Sequence, residues 1–406
     1  MEWTPFSFLT VIMMKAWLIL ADGTIYEGTS IGAAGSTIGE TVFTTGMTGY
    51  LETLTDPSYY GQIVTQTFPL IGNYGVIPED YESKKSWVSG YIVRELCDLP
   101  SNFRCNGKLD DFLKSHGIIG ICGIDTRALT KRLRESGVMN GMIVSGKEAE
   151  KLEKDKEGLL KKIREYKIEH AVERVQSKEG ESLPLVRTSL LSTPSPKRDT
   201  PLKSPAHNVV LWDFGAKANI QRELEKRGCN VTVVPCTTTA DEILALKPDG
   251  LMLSNGPGDP AENVEIIEQL KKVCDYNKQV VSTDSTTLPI FGICLGHQML
   301  ALARGCKTSK LKYGHRGGNH PCKDTQTGRV YITSQNHGYA VENTLLPTYA
   351  KMSFFNVNDG TVEGITYTDI PAFSVQFHPE ACGGPHDTNF LFDNFLKMME
   401  ENHASK

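Results

Sequence analysis

Two short segments in the second half of the 406-residue chain carry side chains that could act together in nucleophilic catalysis. The first, Gly292–Gly296, has the form Gly-x-Cys-x-Gly, with Cys294 at its centre. A strand that turns sharply into a helix presents such a residue at its apex, and glycines avoid collisions with neighbouring backbone. The positive end of the helix then favours a thiolate. The pattern predicts a nucleophilic Cys294, and the alternative is a buried cysteine in a tight turn.

The second segment reads Phe-His-Pro-Glu and supplies His378 and Glu380. Residues two apart on an extended chain share a face, so the imidazole and the carboxylate can reach one site. Pro379 cannot donate to a β-ladder, which places the segment at a strand end. A base and the group that orients it would complete a catalytic triad with Cys294. A surface His-Pro-Glu segment is the alternative.

A third segment, Ser254–Pro260, holds two glycines and two prolines in a rigid, open loop. The backbone amides of such a loop can face a substrate or a developing oxyanion. A plain tight connection would have the same composition. This segment therefore indicates a substrate or oxyanion site only in combination with the other two segments.

The elements that position these segments alternate between strand and helix. Apolar runs predict strands at 208–213, 231–234, 250–253 and 288–292, and helical spacing predicts helices at 219–227, 240–246 and 262–274. Such alternation predicts an α/β domain with a mostly parallel sheet flanked by helices. Ligands of such sheets lie at the carboxyl ends of the strands, where the unusual residues cluster.

The first half of the chain is predicted to be a β-rich, mixed α/β domain. Ala-Asp-Gly at 21–23 predicts a hairpin between strands 16–20 and 24–27, and further strands are expected at 63–68 and 87–93. Helices are predicted after Asp110, from Asp125 to Gly137, and at 147–164, the last as one exposed helix with an apolar stripe.

Three units follow from this pattern. The predicted domains span residues 14–165 and 207–401, and a charged segment and linker, 166–206, lies between them. The linker prediction rests on the Ser, Thr, Pro and Lys composition of 189–205.

Bulk composition excludes several classes of protein. A net charge of −5 gives no overall electrostatic attraction to nucleic acid or to an anionic membrane. Ten cysteines include no Cys-x-x-Cys pair, which argues against a zinc site, and free thiols suit a reducing cytoplasm, where we expect the protein. The apolar run at 6–14 lacks a basic flank and is too short to span a bilayer, so Met13 or Met14 is expected to open the folded part.

Two apparent ligand motifs are rejected. Gly141–Lys147 resembles a phosphate-binding loop, but Glu148 stands where a hydroxyl would bind magnesium, so no ATP site is predicted. His315 and His320 lie in a glycine-rich segment without a third ligand type at metal spacing. They are interpreted as structural, and no metal site is expected.

In chain order, the Gly-Pro-Gly loop, the Gly-x-Cys-x-Gly elbow and the His-x-Glu pair resemble the class I glutamine amidotransferases. Further segments narrow the resemblance to the family of small subunits of carbamoyl-phosphate synthetase, over about residues 14 to 400; they lie at 48–50, 54–59, 213–217, 314–321 and 335–339. Residues 1–13, a longer stretch at 280–287 that is expected to form a surface loop, and Tyr339 in place of a common Phe depart from the family pattern.

The resemblance implies a role for each matching residue. Cys294 would attack the side-chain amide carbon of L-glutamine, His378 would move the thiol proton to departing ammonia, and Glu380 would orient His378. The amides of Gly256 and Leu295 would form the oxyanion hole. The other residues implied to bind glutamine are Ser58, Gly258, Gln298, Asn336, Gly338 and Tyr339.

The resemblance also implies a partner, the large ATP-dependent subunit. That subunit would bind ATP, bicarbonate and Mg²⁺, whereas this chain would need no cofactor, and the carbamoyl phosphate formed would feed pyrimidine and arginine synthesis. Two alternatives stay open at this point. One is an amidotransferase subunit of another synthase, such as anthranilate or GMP synthase, and the other is a catalytically silent regulatory subunit.

Overall fold

The computed structural model describes residues 14–176, 207–281, 287–381 and 383–404. The expectations for residues 1–13 and for the Ser/Thr/Pro-rich linker at 189–205 lie outside the described residues. No helix within the described ranges is long and apolar enough to cross a membrane.

The first half of the chain folds into a closed barrel in the order β1-β2-β8-β6-β4-β3-β9. Antiparallel pairing of β1 with β9 closes the barrel, and two short strands, β5 and β7, pair beside it. The strands are β1 Lys15–Leu20, β2 Ile25–Gly32, β3 Ser36–Thr44, β4 Gln62–Gln66, β5 Leu70–Ile71, β6 Gly90–Ile92, β7 Glu95–Leu96, β8 Ile119–Cys122 and β9 Met139–Ser145.

Six helices accompany the barrel strands: α1 Tyr50–Thr55, α2 Leu109–Ser115, α3 Thr126–Ser136, α4 Glu150–Lys154, α5 Lys156–Glu165 and α6 Ala171–Val175. The single helix expected at 147–164 is wrong. Asp155 interrupts it and caps α5 by accepting a 3.0 Å hydrogen bond from the amide of Gly158. The predicted apolar stripe is present, since Leu159, Leu160 and Ile163 pack against the barrel.

The second half contains a nine-stranded sheet in the order β11-β10-β12-β13-β18-β17-β15-β14-β16. The first five strands in that order are parallel, and the remaining four extend the sheet antiparallel. The strands are β10 Asn208–Asp213, β11 Asn230–Pro235, β12 Gly250–Leu253, β13 Ile290–Ile293, β14 Thr308–Asp324, β15 Val330–Val341, β16 Ala350–Asn356, β17 Val362–Tyr367 and β18 Ala372–Val375.

Helices cover both faces of this sheet: α7 Ala218–Lys226, α8 Ala240–Ala245, α9 Val264–Val281, α10 Leu295–Ala303 and α11 Phe390–Ala404. One buried core lies under α8, α9 and α10, and the other under α7 and α11. The predicted mixed α/β class, with a β-rich first domain, is confirmed. The surface loop expected at 280–287 is wrong for its first two residues, which end α9, and residues 282–286 lie outside the described ranges.

The described part of the predicted linker segment crosses between the two halves. Tyr166 donates a hydrogen bond to the carbonyl of Gly61 in the barrel domain, and Val172 is buried in the core of the second half. The amide of Cys236 donates to the side chain of Gln176 at 2.9 Å. Residues 166–176 therefore tie the barrel to the sheet, while the domain boundaries themselves stay predictions.

Candidate active site

Cys294 occupies the sharp turn between β13 and α10. Its φ of 53° and ψ of −102° lie outside the regions that L-residues ordinarily adopt. A side chain on Gly292 would meet the backbone of Gly296 at 3.0 Å, and one on Gly296 would meet the carbonyl oxygen of Leu253 at 2.6 Å. The glycines of the motif are thus required by close backbone packing, as the sequence indicated.

His378 and Glu380 lie three and five residues after the end of β18, the parallel neighbour of β13. Nδ1 of His378 is 2.7 Å from Oε1 of Glu380, and both side chains are fully buried. Nε2 of His378 makes no hydrogen bond within the described part of the chain, and Cys294 is near enough to raise the pKa of the imidazole. Because parallel strands bring their carboxyl ends together, the sheet gathers the three predicted catalytic residues at one edge.

Charge in this cluster favours the imidazolium form of His378. Burial and Lys217 both oppose the positive charge, but Glu380 and Cys294 outweigh them and raise the pKa of His378 to about 9. Burial also opposes ionisation of Glu380, yet His378 and Lys217 lower the pKa of that carboxyl to about 2. The cluster therefore favours a protonated imidazole held by an ionised carboxylate.

The two residues predicted to supply the oxyanion donors, Gly256 and Leu295, pack against each other. Leu295 is the first residue of α10, so its amide has no acceptor inside the helix. A side chain on Gly256 would meet Leu295 Cδ2 at 2.7 Å and the carbonyl oxygen of Phe214 at 2.2 Å, which shows how closely this loop packs on the elbow. Only glycine fits at position 256, and its backbone comes next to the apex of the turn.

A cavity of about 320 Å³ opens beside Cys294, between the barrel and the sheet. Leu295 does not line this cavity, but it contacts Gly256, which does. The predicted glutamine-binding residues that line it are Ser58, Gly256, Gly258, Gln298, Asn336, Gly338 and Tyr339. Residues from 58 to 339 along the chain thus meet around one space, and their binding of glutamine stays a prediction.

Asp56 connects the barrel side of this cavity with the sheet side, a role that the sequence reasoning missed. Its carboxylate accepts hydrogen bonds from the amide of Ser58 at 2.9 Å and from Nδ2 of Asn336 at 3.0 Å. Asn255 donates to the hydroxyl of Ser58 at 2.9 Å. These bonds fix the predicted substrate residues of the two halves relative to each other.

Gln376 is a second residue that sequence reasoning missed, although a signal was present. It precedes His378 by two positions, and the alternation that relates His378 to Glu380 places Gln376 on the same face. Its Nε2 lies 3.7 Å from Sγ of Cys294, and its Oε1 accepts a 2.9 Å hydrogen bond from Gln298. Gln376 therefore links the nucleophile to a predicted substrate-binding side chain.

Lys217 is a third such residue, buried beneath the triad. Its Nζ is 3.2 Å from Nδ1 of His378, 3.4 Å from Oε1 of Glu380 and 3.9 Å from Oδ2 of Asp56. Burial opposes its charge, but Asp56, Glu380 and Glu82 raise the pKa of Lys217 well above its usual value. A permanent ammonium therefore balances several buried carboxylates.

Replacing Lys217 by methionine should move the acid limb of the pH profile of glutamine hydrolysis up by about one pH unit. The ammonium lowers the pKa of His378, and removing a positive charge makes the catalytic pair harder to deprotonate. We also expect a loss of about 3 kcal/mol of stability, because buried carboxylates lose their partner. Rates measured from pH 5 to 10 and thermal unfolding test both effects.

Lys226→Met, at the far end of the helix that Lys217 precedes, is the matched control for this experiment. The Lys226 side chain is 63% exposed and pairs with Glu223 rather than with the triad. An unchanged pH profile for Lys217→Met, with the same kcat as the control, would contradict the charge-balancing role.

One cluster of possible metal ligands occurs among the described residues, formed by His315, His337 and Glu363, whose ligand atoms lie within 4.8 Å of one another. Glu363 is the third ligand type that the sequence analysis did not find. Although burial opposes its charge, Asp359 and Glu363 raise the pKa of His315 to about 9, so its protonated ring offers no lone pair. The cluster has the chemistry of a buried ion-pair network, and the absence of a metal site stays a prediction.

The fold and the clustered Cys, His and Glu side chains fit the class I glutamine amidotransferases. Residues 210–398 match the family model described as glutamine amidotransferase class-I. Residues 18–143 match the model described as carbamoyl-phosphate synthase small chain, CPSase domain. The chain belongs to the family of carbamoyl-phosphate synthase small chains.

Curated relatives support this membership over both halves of the chain. A carbamoyl phosphate synthase small chain from Bacillus thuringiensis is 50% identical over 388 residues, which cover 95% of this chain and 96% of the relative. A protein of the same name from Fusobacterium nucleatum is 48% identical over 391 residues, with 96% and 99% covered. The match includes the barrel, so it is not confined to the amidotransferase domain.

Proposed function

We propose that Cys294, His378 and Glu380 hydrolyse L-glutamine through a γ-glutamyl thioester on Cys294. The observation that carries the proposal is the 2.7 Å bond between Nδ1 of His378 and Glu380, which turns the other ring nitrogen towards the cysteine at the elbow. As a member of its family, the chain is the glutamine amidotransferase that supplies ammonia for carbamoyl phosphate synthesis.

The reaction divides into two balanced halves. Sulfur of Cys294 attacks the amide carbon of glutamine while His378 holds the thiol proton. The tetrahedral oxyanion is stabilised by the amides of Gly256 and Leu295. When the intermediate collapses, the C–N bond breaks and the proton on His378 leaves with ammonia. Water then attacks the thioester, gives glutamate and restores the thiol.

Glutamine is held in the cavity beside Cys294. The polar groups around this space can bond the amide and the two charged ends of an amino acid. Ser58, Gly258, Gln298, Asn336, Gly338 and Tyr339 are the proposed contacts. Burial, followed by Asp259, raises the pKa of Tyr339, so its hydroxyl keeps its proton and can donate a hydrogen bond.

Membership of the family implies a large-chain partner. We place the binding of ATP, bicarbonate and Mg²⁺ on that partner and assign no cofactor to this chain. The nine cysteines within the described ranges are all free, which supports a reducing, cytoplasmic setting, and the carbamoyl phosphate would serve pyrimidine and arginine synthesis. Relatives that match both halves argue against a subunit of another synthase, and the assembled triad argues against a silent subunit.

Trapping the thioester tests this function. Wild-type chain mixed with glutamine and quenched in acid within one turnover should carry a γ-glutamyl group on the peptide that contains Cys294, as seen by mass spectrometry. His378→Asn should slow formation of the adduct, while a sample without glutamine should show none. Ammonia release by the wild type without any adduct at Cys294, on any timescale, would rule out this route.

A further inference from the structure

Arg316 is a buried cation on the wall of the glutamine cavity. Its surface is 4% exposed, and strand β14 places it opposite Asn336 of β15. Burial lowers the pKa of its guanidinium, and Glu40, Tyr59 and Cys294 oppose the shift, so all three groups lie near the charge. An arginine stays protonated at such a site. The cavity beside the nucleophile therefore contains a permanent buried positive charge.

The guanidinium of Arg316 is only partly hydrogen-bonded. Its Nη1 donates to the carbonyl of Tyr313 at 2.8 Å. Its Nε has no acceptor among the described residues, and its Nη2 lies beside Gly338, where an added side chain would meet it at 3.5 Å. Gly338 is one of the proposed glutamine contacts and lines the same cavity. A buried donor without an acceptor destabilises a fold, so this arrangement indicates that a ligand supplies the acceptor.

Other charged groups on the cavity wall do not satisfy these donors. After burial, which lowers it, Glu40 has the largest effect on the pKa of Arg316. That carboxylate is already bound by Nζ of Lys310 at 2.7 Å and by Nε2 of Gln62 at 3.1 Å. Within the described ranges, Lys310 and Lys167 are the other cations on this wall, and both side chains are exposed to solvent. Arg316 is therefore the buried cation of the cavity whose donors remain available.

We propose that Arg316 binds the α-carboxylate of L-glutamine and thereby makes the site specific for an α-amino acid. This inference rests on the proposed function, because it requires glutamine to occupy this cavity. Nε and Nη2 form one edge of the planar guanidinium, and their parallel N–H groups match the two oxygens of a carboxylate. That edge is the one that the hydrogen bond from Nη1 to Tyr313 leaves unused.

A carboxylate held at Arg316 also selects the length of the substrate. The α-carboxylate is fixed at one end and the amide must reach Sγ of Cys294 at the other. Asparagine is shorter by one methylene, so its amide falls short of the sulfur when its carboxylate is bound. A structural role alone would need only Nη1, which supports the carbonyl of Tyr313. The unused edge of the guanidinium is the feature that such a role leaves unexplained.

The test compares ammonia release by the full-length chain from L-glutamine and from γ-aminobutyramide, which is glutamine without its α-carboxylate. Arg316→Gln should lower kcat/KM for glutamine at least about 30-fold, chiefly through KM, because a buried charge pair is lost. Its kcat/KM for γ-aminobutyramide should stay within a few fold of wild type, so the preference for glutamine collapses. Arg316→Lys keeps the charge without the planar fork and should give an intermediate preference. If turnover of γ-aminobutyramide is too slow to measure, its inhibition constant against glutamine replaces kcat/KM.

Lys310→Gln is the matched control, because it removes a positive charge from the same cavity wall. Its preference for glutamine over γ-aminobutyramide should stay within a few fold of wild type. Equal losses on both substrates in Arg316→Gln would overturn the inference in favour of a structural role. So would a preference that survives in Arg316→Gln, or one that falls as far in Lys310→Gln. A wild-type chain that releases no ammonia from glutamine, even with the large chain present, would instead refute the proposed function.

Discussion

Replacement of Cys294 by alanine is expected to lower glutamine-dependent ammonia release by at least about 10⁴-fold, the scale on which loss of a nucleophile acts in triad enzymes. Among the cysteines that the structure describes, Cys294 is the one that lies at the elbow, near His378 and on the wall of the glutamine cavity. The measurement is ammonia release in a coupled assay. Carbamoyl phosphate synthesis from added ammonium by the complex with the large chain should continue.

Two variants separate chemistry from folding in this experiment. Cys294→Gly suits the unusual backbone conformation at this position and should be equally inactive, so that strain cannot explain the loss. Cys306→Ala removes another buried thiol, from the core under α10, and should retain activity. Residual release by Cys294→Ala above a thousandth of the wild-type rate would contradict a covalent route.

The parallel half of the sheet could be predicted because its signals are local. Short apolar runs, each followed by a helix, identify β10 to β13 without knowledge of pairing. The antiparallel extension could not be predicted in this way. Strand β14 contains glycines and histidines, and its pairing with β15 shifts register twice, between Lys310 and His315 and between Gly317 and His320. Such sequence is typical of a loop.

Closure of the barrel could likewise not be predicted from the sequence. Individual strands near 16–20 and 63–68 were predicted, but closure depends on the pairing of β1 with β9, as in Ile19 opposite Met142. No local pattern encodes a pairing over such a distance. Barrel closure matters for the candidate site, because the closed barrel fixes the loop that carries Asp56 and Ser58.

The candidate site was predicted where chemistry demands a rare residue pattern. Cys294, His378 and Glu380 lie in short motifs whose spacing has a steric reason. Lys217 has no such spacing, since its function is charge balance with groups from three distant segments, and only the folded structure brings it within 3.4 Å of Glu380. The supporting charges of an active site are therefore harder to find than its reacting groups.

Glu380→Gln should lower the rate of glutamine hydrolysis by about 10³- to 10⁴-fold, although it replaces only one carboxylate oxygen by an amide NH₂ group. The carboxylate accepts a hydrogen bond from Nδ1 of His378, which keeps the proton there and leaves Nε2 to exchange a proton with Cys294. A glutamine amide can donate to Nδ1 instead. That arrangement stabilises the tautomer with its proton on Nε2, which cannot accept the thiol proton.

Loss of the negative charge adds to the effect of the wrong tautomer. Burial opposes the imidazolium, and Glu380 is one of the groups that overcome this opposition, so its removal lowers the pKa of His378 from about 9. The imidazolium that must protonate departing ammonia is then less stable. The variant should show a lower kcat with a KM within a few fold of wild type, because Glu380 is not on the wall of the glutamine cavity.

Glu82→Gln provides the matched control for Glu380→Gln. Burial, with a smaller contribution from Glu380, raises the pKa of Glu82 to about 7, although Lys217 opposes the shift. Its protonated form is therefore already populated at neutral pH, and the amide resembles that form. Glu82→Gln should retain activity within a few fold. If both variants lost activity equally, the tautomer explanation would be wrong. Glu380 would then act by balancing the charge of Lys217.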